Sequence, residues 1–70
     1  MAKRHRELVH EGEYAAEVEV ELIETEDGWS PYLSLQDAQK VEAVREALRR
    51  ADLTAARKLA RVYRLMPVSA

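Results

Sequence analysis

Strict alternation marks the first half of the chain. Tyr14, Ala16, Val18, Val20 and Leu22 recur at every second position, with Glu17, Glu19 and Glu21 between them. That is the period of a strand with one face in a core and the other in water. Glutamate is a poor strand former, so the pattern rather than the propensity carries this expectation. Upstream, residues 5–10 lead into Glu11-Gly12, and glycine supplies the positive φ that a tight turn needs. A two-residue loop at Glu11-Gly12 predicts a hairpin in which His10 faces Glu13 and Val9 faces Tyr14. Arg6 then faces Glu17 and Arg4 faces Glu19, so opposite charges meet across the strands. A three-residue loop is the alternative and scrambles these pairs.

After Thr25-Glu26-Asp27-Gly28 ends the second strand, residues 28–33 read as a loop carrying Trp29, Tyr32 and Leu33. Pro31 biases Ser30 to an extended conformation. Ser34 has the character of an N-cap, with Asp37 in the capping-box position. Leu35, Ala38, Val41, Val44, Leu48 and Ala51 then form one helical stripe. Asp52 caps a shorter helix over about 53–60, with Leu53, Ala56, Leu59 and Ala60 on its apolar side. Residues 61–66 return to strand-like composition, and Pro67 confines that strand to an edge or an end.

The order β-β-α-α-β predicts a small α+β domain: a three-stranded antiparallel sheet, the second strand central, with a helical pair on one face. The expected core is Tyr14, Val18, Val20, Leu22, Val41, Val44, Leu48, Leu59 and Leu65. Arg64 is expected to reach the glutamates of the solvent face.

Composition narrows the picture. Seventy residues, 47% of them hydrophobic, suit a single domain spanning 1–70. Without cysteine there is neither a disulfide framework nor a thiolate metal site. No apolar run approaches the ~20 residues of a membrane span. Residues 1–6 are charged with no apolar segment behind them, unlike a secretory signal. The expected location is the cytoplasm.

Charge divides the chain. Residues 1–35 hold three bases and nine acids, while residues 36–70 hold eight bases and four acids. Residues 45–64 concentrate Arg45, Arg49, Arg50, Arg57, Lys58, Arg61 and Arg64 against Glu46 and Asp52. A basic helical surface is an electrostatic footprint for phosphates. The interleaved acids and the overall net charge of −2 argue for a solvated face instead.

Catalytic chemistry finds little support. His5 and His10 differ in parity, so a strand points them to opposite faces, and no metal site is expected. No nucleophile sits in an identifiable elbow, and two glycines do not make a phosphate loop. Glu17, Glu19 and Glu21 lie on an exposed face, not in the cleft that a catalytic carboxylate needs. The chain is therefore not expected to be an enzyme or to take a cofactor.

The stretches 28–38 (Gly28-Trp29-Ser30-Pro31-Tyr32-Leu33-Ser34 onward), 44–53 and 60–63 resemble a family of short, uncharacterised bacterial proteins, a likeness over nearly the whole chain. It implies no activity and no catalytic residue. Such sequences often have glycine at position 51, a natural helix C-cap, where this chain has Ala51. The strand over 14–22 and the helix start at 34–38 are also similar to small antitoxins of the HicB type, over about a third of the chain.

The reading that follows is a small bacterial protein-interaction module, antitoxin-like, that binds another protein. Trp29 and Tyr32 are the candidate anchors, aromatic types favoured at hot spots; packing over the core edge is the other role open to Trp29. The charge split also supports self-association as a homodimer. The alternative is a nucleic-acid-binding regulator using Arg45, Arg49, Arg50, Arg57, Lys58 and Arg61.

Overall fold

The computed structural model describes residues 2–24 and 32–68. Trp29 lies outside them, as do the expected end of the second strand at 25–28 and Pro31. The chain is a small α+β domain, with strands β1 (Ala2–Glu11), β2 (Tyr14–Ile23), β3 (Tyr32–Leu33) and β4 (Arg61–Arg64) and helices α1 (Leu35–Arg49) and α2 (Leu53–Leu59). β2 is central. β1 runs antiparallel along one side, while β3 and β4 pair antiparallel with opposite ends of the other side. The two-residue β3 is a fourth strand within a stretch expected to be loop.

The hairpin forms, but its loop is Gly12-Glu13 and Glu11 faces Tyr14. Gly12 takes φ +58°. It stands at the first central position, where a type II′ hairpin loop requires glycine. Moving the loop by one residue moves every pair by two. Arg6 thus faces Glu19 and Arg4 faces Glu21, not Glu17 and Glu19, while His10 faces Ala15 and Val9 faces Ala16. A shift of two preserves parity, so each side chain keeps its expected face. Arg6 still reaches Glu17 on the diagonal, at 3.7 Å.

Both helices lie on one face of the sheet. Val9, Ala16, Val18 and Val20 meet Val41, Val44, Ala47, Leu48 and Ala56 there. β-Branched valines suit the pleated surface, and the alanines let the helices approach it closely. Two expected core residues are exposed instead. Leu59, 41% exposed, ends a seven-residue helix that buries only Ala56. Leu65, 44% exposed, follows β4 on the parity of Tyr63, away from the helices. Tyr14 and Leu22 are half-buried at the margins.

Caps fix the helix ends. Ser34 Oγ accepts from the Asp37 N–H at 3.1 Å, and Asp52 Oδ1 accepts from the Ala55 N–H at 3.2 Å. The Asp37 side chain serves the sheet: its Oδ2 accepts from the Glu21 backbone N–H at 2.8 Å, tying α1 to β2. At the far end of α1 the Asp52 N–H donates to Ala47 O and the Ala51 N–H to Leu48 O. This is a Schellman motif, and its left-handed residue is Ala51 at φ 57°.

Candidate interaction surface

The face of the sheet opposite the helices is uncovered among the described residues. Register places Arg4, Arg6, Leu8 and His10 of β1 on it, beside Ala15, Glu17, Glu19 and Glu21 of β2 and Arg61 and Tyr63 of β4. Tyr63 donates its hydroxyl hydrogen to Glu17 Oε1 at 3.1 Å, which fixes both on this face. At the hairpin end, Leu8, Tyr63 and Leu65 are 65%, 39% and 44% exposed around the buried Ala15. The Leu65 N–H bonds to Glu13 O and carries the β4 pairing beyond its last strand residue. The result is an apolar corner inside a frame of opposed charges.

Tyr32 faces Ile23 at the other end of the same sheet face and is 52% exposed. It is therefore far from the apolar corner. Leu8 escaped sequence reasoning, although a leucine at the solvent parity of a charged strand was a legible signal. So did Lys40, which donates from Nζ to Glu19 O at 3.0 Å. Lys40 and Asp37 occupy backbone groups of β2 in the gap between β3 and β4. A shallow, solvent-open notch of about 340 Å³ lies there, lined among others by Arg6, Glu19, Lys40, Arg57 and Arg61.

The basic residues do not gather into one surface. Arg49 meets Glu11 of β1 at 3.3 Å and Glu46 at 3.4 Å. The Glu11 hydrogen bond, then its charge and that of Glu46, push the Arg49 guanidinium above its ordinary range. Arg45 lies 4.0 Å from Glu42, with its buried Nε lacking a hydrogen-bond partner among the described residues. Arg57 and Arg61 lie at the opposite sheet edge, by the notch. The Arg61 guanidinium is held above its ordinary range, first by Tyr63 and then by the charge of Glu17. Arg50 caps the C-terminus of α1, and Arg57 and Lys58 stand exposed in the last turn of α2.

His5 faces Val20 and His10 faces Ala15, so the two rings point to opposite faces of the sheet. The His10 ring is held by Nε2 to Gly12 O at 2.8 Å. Among the described residues no three acidic, His or Cys groups converge as metal ligands, and no helix is long and apolar enough to cross a membrane. No protein-family model matches the chain, nor does any curated protein or solved structure to which it was compared.

Proposed function

We propose that this chain is a non-enzymatic, protein-binding module of the bacterial cytoplasm, the small member of an antitoxin-like pair. The observation that carries the reading is the sheet face left uncovered among the described residues, where Leu8 on the β1 side of β2 and Tyr63 and Leu65 on its β4 side are exposed within a charged frame. A central apolar cluster with a polar rim is the anatomy of a protein interface. The antitoxin-like part rests on the resemblance of the 14–22 strand and the 34–38 helix start. Dispersal of the arginines to opposite edges, with Arg45 and Arg49 already against carboxylates, favours protein over nucleic acid as the partner.

Affinity purification from the organism that encodes the chain, with and without nuclease, tests the reading. The expected result is a stoichiometric protein that survives nuclease and is lost with Tyr63→Ala or Leu65→Lys. Recovery of nucleic acid alone, lost with Arg57→Glu and weakening steeply with salt, would overturn it.

A further inference from the structure

β1 is a ten-residue strand whose outer edge pairs with no strand among the described residues. Such an edge is a template for another strand. Which groups it offers follows from β2. The Glu21 N–H and Glu19 C=O point away from β1, toward Asp37 and Lys40. The even residues of β2 therefore bond β1, through the odd residues they face. Ala2, Arg4, Arg6, Leu8 and His10 turn their backbone N–H and C=O groups outward. The two-residue hairpin loop requires the same, since Glu11 and Tyr14 close it as a hydrogen-bonded pair.

We propose that this edge pairs antiparallel with the same edge of a second copy of the chain, with Leu8 on the two-fold axis. The inference names a partner for the interaction reading above and rests on it in taking the sheet as the docking element. Charge selects the register. Pairing centred on residue 5 sets Arg4 against Arg6. Centring on residue 6 sets Arg6 against itself, and centring on residue 7 sets Glu7 against itself. Centring on residue 9 sets Glu7 against Glu11. Like charges directly opposed are destabilising. Centring on Leu8 opposes no two carboxylates and no two arginines. It sets leucine on leucine, His5 against Glu11, and Arg6 against His10. It also joins the two exposed apolar corners across the axis, since Leu8 borders the corner holding Tyr63 and Leu65. The pairing is isologous and closes at two copies along this edge. The product is one continuous sheet with all four helices on the same side.

The chain has no cysteine, so any single-cysteine variant can cross-link only to another copy. Directly opposed, hydrogen-bonded residues have Cα atoms about 5.5 Å apart, within the range a disulfide spans. Sedimentation equilibrium of the native chain should give twice the chain mass. Under mild oxidation Leu8→Cys should form covalent dimer at least ten times faster than Glu7→Cys. Arg6→Cys and His10→Cys should cross-link with each other when mixed, and poorly alone. Leu8→Pro should be monomeric yet folded, because the N–H it removes points outward and is absent from the β1–β2 ladder. If Leu8→Pro unfolds, the exposed substitution Leu8→Lys serves in its place, with circular dichroism checking the fold. A native chain that stays monomeric up to millimolar concentration, or fastest cross-linking by Glu7→Cys or Tyr63→Cys, would overturn the pairing. A monomer that still carries a nuclease-resistant protein partner refutes this inference alone. A dimer that binds no other protein refutes only the reading of a foreign partner.

Discussion

Replacing Leu48 with alanine removes the largest side chain of the buried core. The remaining buried residues are all valine or alanine, and Leu48 is 3% exposed. Losing three carbons costs about 2.4 kcal/mol at ~0.8 kcal/mol per buried CH2. The space left behind adds roughly 24 cal/mol per Å³ that the surroundings fail to refill. β-Branched valines locked on the sheet relax poorly into a gap. The better helix propensity of alanine returns at most a few tenths of a kcal/mol. The expected loss is therefore about 3 kcal/mol, inside the roughly 2–5 kcal/mol range of buried leucine truncations. A chain of this length has about 3.5–10 kcal/mol in total, so Leu48→Ala removes roughly three-tenths of it or more. Urea denaturation followed by circular dichroism measures the change, and the midpoint of thermal unfolding should fall by roughly 4–8 °C per kcal/mol. Leu59→Ala and Leu65→Ala are the controls. Both side chains are two-fifths exposed or more, and each should cost under about 1 kcal/mol. A loss below 1 kcal/mol for Leu48→Ala, or an equal loss for Leu59→Ala, would refute the packing described above.

Gly12→Ala should destabilise by about 1–2 kcal/mol, the cost of a left-handed alanine. A Cβ there meets nothing within 4 Å, so the whole loss is backbone; an unchanged urea midpoint would contradict the turn assignment. Ala51→Gly should stabilise by up to about 1 kcal/mol, because Ala51 holds the left-handed cap of α1 without glycine's freedom. A lowered unfolding temperature would count against that cap. Ser34→Ala should cost about 1 kcal/mol as a lost N-cap. Asp37→Ala should cost more, about 1.5–3 kcal/mol, because its carboxylate accepts the Glu21 N–H that ties α1 to β2. Amide exchange at Glu21 should speed up in Asp37→Ala and not in Ser34→Ala. Arg49→Ala, which removes an exposed guanidinium from the exposed Glu46 and the half-buried Glu11, should change stability by less than about 1 kcal/mol, as chemical denaturation can check.

Local rules were legible in the letters of the chain. The two-residue period of 14–22 set which side of β2 is buried. Ser34 and Asp52 set where the helices begin, and the stripe of Val41, Val44 and Leu48 set the face α1 turns inward. Each depends on neighbours within one turn or one pleat, so local sequence suffices. The hairpin register was not legible, because loops at 11–12 and 12–13 both use Gly12 and both leave every side chain on its face. Only the backbone demand of the turn separates them, and it moved Arg6 from Glu17 to Glu19. Coverage is likewise a property of the assembled fold. Leu59 and Leu65 have core chemistry, but α2 is short and β4 turns Leu65 to the side opposite α1 and α2. The shared edge of β2 is tertiary too. A two-residue strand carries no period, and the use of Asp37 and Lys40 to satisfy the gap between β3 and β4 follows only once α1 is laid against the sheet.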